Sequence, residues 1–353
     1  MTMGCVRWAV GVAGICLLPH TAMAQLPPLP PLHPPVTPGP PATGTGVCTI
    51  RGPVLGPVDF GVPAGGVLAD TSAVRLDDGR VRQYIFAQGI GIVSAISLTA
   101  EGVTFVPEAG ARMPDGSGMP RAVAKPGGGW RLFYTSTGGI KSAVSADGLT
   151  FTPEAGFRIT AEAAGFGATT ASATSGATVT TLRDGRFRMY FSDLPRPGDP
   201  PGMHLVKSAI STDMLAWTVE AGVRLGAGAV ALTDSAEHPF ALANPDGSVT
   251  LYYGKFGGGT GTPKTEGVYQ STSMDGLTFE QETLDVAFGN DPDALRRVDG
   301  TLVLYYGGFD PQVGGTINVA QCPDPSRPDP SGPDPAAAGG VARRREPARR
   351  QSK

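Results

Sequence analysis

Charge is scarce in this chain. Asp, Glu, Lys and Arg make up 17% of its 353 residues, and the formal net charge is −3 at pH 7. That balance speaks against a nucleic-acid partner, which would be held by a basic surface. Histidine is scarcer still: only His204 and His238 lie away from the two ends, so no histidine-rich metal centre is expected. No stretch is long and apolar enough to span a bilayer, and no strong helical periodicity runs through the middle of the chain. Nucleophile elbow, phosphate loop, haem motif and paired Cys-x-x-Cys are all missing, so no cofactor is expected.

What is present at the start is Arg7, the short apolar run "WAVGVAGICLL" and then "TAMAQ", with small residues at Ala22 and Ala24. This pattern predicts a signal peptide over residues 1–24 and an exported protein, secreted or periplasmic. Ile15 precedes Cys16 where a lipoprotein signal has a small residue, which disfavours a lipid anchor. Residues 25–45 are dominated by proline ("LPPLPPLHPPVTPGPP") and read as a semi-rigid spacer. Residues 323–353 mirror them with "CPDPSRPDPSGPDP" and a basic end, "RRREPARRQSK", and are expected to be disordered. A basic tail binds anionic polymers or membranes in some proteins and is only a solvated end in most.

Between these ends one sentence is written several times. "TAEGVTFVPEAGARM", "SADGLTFTPEAGFRI", "STDMLAWTVEAGVRL" and "SMDGLTFEQETL" share a turn, an aromatic and, in the first three, a following Glu and Arg. Ahead of each copy stands a short β-rich run, a tight turn at Gly79, Gly128, Gly185 or Gly247, and a run rich in Tyr, Phe and Val. A fifth such hairpin turns at Gly300. A third run follows in every unit, from "IVSAIS" to "TINVAQ". Four antiparallel strands at a period of roughly 50 residues predict an all-β, five-bladed β-propeller over residues 46–322. Four near-copies mark the Ser-x-Asp-Gly-x-Thr-Phe turn as structural, its Ser and Asp bonding nearby amides and its aromatic packing between blades. The Glu of each copy (Glu108, Glu154, Glu220) is expected to pair with the Arg four residues on (Arg112, Arg158, Arg224).

The fifth unit lacks its fourth strand, because the chain turns into proline after Cys322. "GPVDFGVPAGG" places Phe60 where the other units have their aromatic, so residues around Val58–Gly61 are expected to complete blade five and close the ring. Once a leader is removed, Cys48 and Cys322 remain, one at each end of the repeats, and are expected to form a disulfide across the seam.

First strands of a propeller line its axis, so functional residues are sought where the blades differ. Nine residues before each aligned glycine stand Asp70, Met119, Gly176, His238 and Asp291. One position earlier stands Glu237, and two positions later stand Arg121 and Asp293; Asp193 ends the second strand of blade three. With the "SAxSxDGLTF" turns and the blade openings "AEHPFAL" and "GNDPDAL", the chain resembles the five-bladed glycosidase superfamily of arabinanases, β-xylosidases, invertases and levansucrases. The resemblance implies a carbohydrate ligand in the central funnel and three carboxylates, an Asp in blade one, an Asp in blade two and a Glu in blade three. Asp70 matches the first, while Met119 and Gly176 stand where the others belong, leaving the triad incomplete. The catalytic candidates are therefore Asp70, Glu237 and Asp291, and the ligand-binding candidates Arg121, His238, Asp293 and Asp193. Asp291 before Pro292 also suits a plain turn cap, and Asp291 with Asp293 and carbonyl oxygens offers a short ligand set for calcium. Two readings stay open: an exported glycoside hydrolase with a displaced acid pair, and a non-catalytic propeller binding glycan or protein. A monomer is expected in either case.

Overall fold

The computed structural model describes residues 47–166, 174–193, 204–226, 229, 231–232, 235–255, 266–297 and 299–326. The expected signal peptide, the proline-rich spacer and the tail beyond residue 326 lie outside the described residues. All that is described belongs to one compact unit, Val36–Lys353.

Five antiparallel sheets form the five predicted blades. Blade one runs through Leu68–Arg75, Val81–Ala87, Gly91–Ser97 and Phe105–Met113, innermost strand first. Blade two begins with Gly118–Ala124, blade three with Ser175–Thr181, blade four with Glu237–Ala243 and blade five with Asn290–Arg296. Each innermost strand packs against those of its two neighbours, which closes the ring. In blades two and three the outer strand is broken into two short pieces, Thr152–Pro153 with Ile159–Thr160 and Thr218–Val219 with Leu225–Gly226. The chain bends between the pieces at Gly156 and Gly222, whose φ values of 76° and 86° interrupt a ladder.

Apolar side chains pack between blades rather than within them. Blade one meets blade two through Tyr84, Ile92 and Met113 against Leu132, Tyr134 and Ala143, and each of the other interfaces has its own cluster. The recurring turn behaves as its residues predict. Ser145 Oγ accepts Gly148 N–H, and Asp147 accepts the amides of Leu149 and Thr150. Its aromatic meets the preceding blade edge-on, as in Tyr84–Phe151 at 5.7 Å and Phe133–Trp217 at 6.0 Å. Tyr84, Tyr190 and Tyr305 each donate a buried hydroxyl to a turn carbonyl of the next blade: Gly148, Gly276 and Gly102.

Two expectations are corrected. Glu108, Glu154 and Glu220 pair with Arg82, Arg131 and Arg188 of their own second strands, not with the Arg four residues on. The outer strand bends after each Glu, which turns Arg112, Arg158 and Arg224 toward carbonyls of the next blade at Leu149, Leu215 and Leu277. The strand that completes blade five is Thr49–Leu55, paired with Gly314–Cys322, and Pro57–Phe60 is a short 3-10 turn beyond it. Phe60 packs instead on the cluster between blades five and one.

Cys48 and Cys322 are disulfide-bonded. The N–H groups of Val47 and Cys48 reach past blade five to Leu284 and Asp285 of blade four's outer strand. This main-chain bridge stands where the repeating contacts stop. Tyr252 is the counterpart of Tyr84, but blade five has no turn to receive its hydroxyl, which is buried without a partner. Replacing Tyr84 by Phe is expected to cost about 1–2 kcal/mol in urea unfolding, because Gly148 loses its donor. The change Tyr252→Phe removes an unpaired hydroxyl and is expected to be neutral or stabilising. Equal losses in the two variants would contradict this account of the seam.

Candidate functional site

In each innermost strand the ladder is interrupted once, always at the same place: Ala69/Ser72, Gly118/Arg121, Ser175/Thr178, Glu237/Phe240 and Asn290/Asp293. Inside each bulge one residue is left-handed: Asp70 (φ 56°), Met119 (47°), Gly176 (58°), His238 (48°) and Asp291 (50°). A bulge re-aims a side chain, and these five, repeated around the ring, converge. Asp70, Met119, Gly176, His238 and Asp291 line one axial cavity with Arg121 and a few neighbours. Its volume is about 10 Å³, the room of one water-sized species.

The polar groups of this cavity sit on adjacent blades. Asp70, His238 and Asp291 each bring one ligand atom within 4.8 Å of the others. His238 Nδ1 is in ion-pair contact with Asp291, and the Asn290 side-chain amide lies 3.2 Å from the same nitrogen. The far nitrogen, Nε2, is buried without a partner. Burial by itself lowers the His238 pKa, but Asp291, with Asp70 and Glu237 behind it, reverses this and the imidazole is pushed up to about 10. Burial and the neighbouring Asp291 charge push Asp70 up to about 7. Gly176 makes this packing possible, since a Cβ there would lie 3.3 Å from both Cα and Cδ2 of His238.

Beneath the cavity, Arg121 of blade two reaches across the axis to Asp293 of blade five, and the pair is buried. The same guanidinium lies 5.0 Å over the Phe240 ring of blade four and donates to the Ala177 carbonyl of blade three. Asp293 also accepts the Ala73 N–H of blade one. One ion pair therefore touches all five blades. Burial pushes Asp293 up to about 7 against the pull of Arg121. Ser72 and Thr178, at the matching positions, accept N–H groups of Ala122 and Ala241 in their own neighbouring blades.

Of the candidates from sequence, the structure gathers Asp70, Arg121, His238 and Asp291 at the cavity. Glu237, Asp293 and Asp193 are not among its lining residues. Glu237 faces His204 at 3.8 Å, and burial raises its pKa. Asp193 accepts the Leu205 N–H at 2.9 Å. Calcium takes six to eight oxygens. Here Asp293 is held by Arg121, which leaves Asp70, His238 and Asp291 as the group whose ligand atoms could hold a metal ion. Thr71 and Pro120, which also line the cavity, were not singled out by sequence; they follow the left-handed residues directly. The left-handed position itself had a readable signal, because Asp, His and Gly tolerate positive φ better than other residues and occupy four of its five places.

No protein-family model matches the sequence, and no curated protein matches it. Solved structures do. A glycoside hydrolase of the GH130 family that targets β-1,2-mannosidic linkages in Candida mannan superposes with a TM-score of 0.55 at 18% identity, over 84% of this chain and 99% of that one. The endo-arabinase of Bacteroides thetaiotaomicron matches with a TM-score of 0.52 at 15% identity, over 75% and 96%. The α-L-arabinofuranosidase of Podospora anserina, solved with cellotriose, matches with 0.54 at 13%, over 78% and 96%. The chain has the five-bladed fold of these glycosidases. At such identities the likeness is one of fold, so the chemistry of this propeller rests on its own side chains.

That chemistry leaves a trace in stability. Asp70 has a folded pKa of about 7 against an ordinary 3.8. Its contribution is therefore fully present below about pH 4 and lost as pH rises toward 7. Asp293, also pushed up to about 7, and Asp285, raised by burial to about 8, act in the same direction. The wild-type melting temperature is expected to fall between pH 5 and pH 8. In Asp70→Asn the fall should be visibly smaller, and an unchanged slope would show that Asp70 is not held protonated.

Proposed function

We propose that this chain is an exported propeller that recognises carbohydrate at the mouth of its axial funnel and does not hydrolyse it. The observation that carries the reading is that the acids around Asp70 are already engaged by basic side chains. Glycoside hydrolysis sets two carboxyls about 5–10 Å apart with a glycosidic oxygen and, in inverting enzymes, a water between them. Here Asp291, the carboxylate nearest Asp70 in the cavity, is bound to His238, and Asp293 is bound to Arg121. Met119 and Gly176 add no third acid, and Glu237 turns toward His204. The cluster is instead suited to sugar hydroxyls. Asp291 and Asp70 accept, and a protonated Asp70 also donates. Export is supported by the leader pattern and by the formed Cys48–Cys322 bond, which suits an oxidising compartment. No helix among the described residues is long and apolar enough to cross a membrane.

One observation favours the hydrolytic reading. A carboxyl held protonated to about pH 7, as Asp70 is, has the property of a general acid. The two readings separate on the purified mature chain. Chromogenic arabinofuranosides, xylosides and mannosides are expected to show no turnover above buffer, while a panel of oligosaccharides gives measurable binding that Asp291→Asn weakens. Turnover in the wild type that disappears in Asp70→Asn would establish the hydrolase instead.

A further inference from the structure

The innermost strands carry four carboxyl groups: Asp70, Glu237, Asp291 and Asp293. Three of them have a base of their own. Asp291 is bound to His238, Asp293 to Arg121, and Glu237 faces His204 at 3.8 Å. Asp70 has no ion-pair partner among the described residues, and it is the one that opens on the axial cavity with only Asp291 as a second acid. An ionised carboxylate held inside a protein without a counter-charge is costly. The strands thus build a set of matched pairs with one place open, and the open place faces the cavity.

The polar groups beside Asp70 mostly accept hydrogen bonds. Asp291 lines the cavity with a carboxylate. Thr71 lines it with a hydroxyl whose proton goes to Gln83 at 3.0 Å, which leaves that oxygen only lone pairs to offer. Close by, the buried Glu237 keeps Oε1 without a partner. Arg121 reaches the cavity too, but its guanidinium is taken up by Asp293, the Ala177 carbonyl and the Phe240 ring. A group entering here must bring donors and positive charge in the space of one water-sized species. An ammonium group does so, with three N–H donors and a unit charge. A hydroxyl brings one donor and no charge, and a carboxylate or phosphate brings charge of the wrong sign.

We propose that the axial cavity takes the ammonium group of an amino sugar, held by Asp70 with Asp291 and Thr71 beside it. This rests on the carbohydrate reading above and names the class of saccharide. The amine supplies the base that Asp70 lacks, and the hydroxyls of the same ring remain for the other polar groups at the mouth of the funnel.

The test is titration calorimetry of the mature chain at slightly acidic pH, where sugar amines are charged. Hexaglucosamine, hexa-N-acetylglucosamine and cellohexaose share one β-1,4 backbone and differ only at carbon 2. Mannohexaose, xylohexaose and arabinohexaose serve as further neutral sugars, and spermidine as an amine without a sugar. Hexaglucosamine is expected to bind about tenfold more tightly than any of the others. Asp70→Asn should abolish that preference; asparagine has the same shape and accepts left-handed backbone, so the variant keeps the fold. Asp78→Asn, which removes a half-exposed acid from the turn at the other end of the same hairpin, should bind as wild type does. A neutral sugar bound as tightly as hexaglucosamine overturns the amine and leaves the carbohydrate reading standing. Equal binding of spermidine, or a preference that survives Asp70→Asn, overturns it as well. Binding that EDTA abolishes and a divalent ion restores would assign the cavity to a metal instead. If wild type binds none of the sugars, both readings fall.

Discussion

A left-handed residue at one place in every innermost strand is the constraint on which the rest of this molecule depends. It breaks each ladder once, and so turns one side chain per blade toward the axis while the remaining side chains keep to the blade faces. Without it the first strands would carry ordinary alternation, and Asp70, His238 and Asp291 would not meet. Its cost falls on Met119, His238 and the two aspartates, since only Gly176 is at home there. Compensation comes from directly below, where Arg121 and Asp293 connect all five blades and Ser72, Thr178 and Asp293 accept amides from their neighbours. A buried ion pair of this kind is weak evidence for net stability. What it supplies is a fixed relation among blades, which a site assembled from side chains of different blades requires.

The ring is not uniform. Four interfaces share the aromatic pair of the recurring turn. Between blades four and five that turn is replaced by the closing strand and the disulfide, and Val47 and Cys48 supply main-chain bonds in its place. Arg296 adds a second tie across the same interface, reaching the Ala243 carbonyl and Asn244 of blade four while paired with Asp324. The His238–Asp291 contact lies across this interface too. The most irregular joint of the propeller is therefore also the one that joins the two halves of the polar cluster.

Much of this was legible in the sequence, for a physical reason. A blade buries its faces only against other blades, so each blade must repeat the same turn, aromatic and hairpin, and repetition can be read without a structure. The Ser-Asp turn and its packing aromatic followed directly, as did the cysteines, isolated at the two ends of the repeats. The Glu–Arg pairing failed because strand periodicity assumes a straight strand, and the outer strands bend at Gly110, Gly156 and Gly222. The closing strand was misplaced because Phe60 stands where the other units have their aromatic, whereas Thr49–Leu55 carries the hydrogen bonds. For the site, alignment found the right five positions but not their directions. Glu237 and His238 are adjacent in sequence, yet the bulge sends His238 to the axis and Glu237 toward His204.

The central claim is that Asp70, His238 and Asp291 form one coupled polar unit at the axis. Nitrogen-15 NMR of the imidazole rings tests it most directly, with the His238 resonances identified by their loss in His238→Gln. If the claim holds, both ring nitrogens of His238 stay protonated through pH 8 and the ring titrates near 10, because the Asp291 carboxylate faces it. A His238 that deprotonates near its ordinary 6.5, with a neutral tautomer at pH 8, would show that the cluster does not exist in solution and would remove the basis for a funnel site.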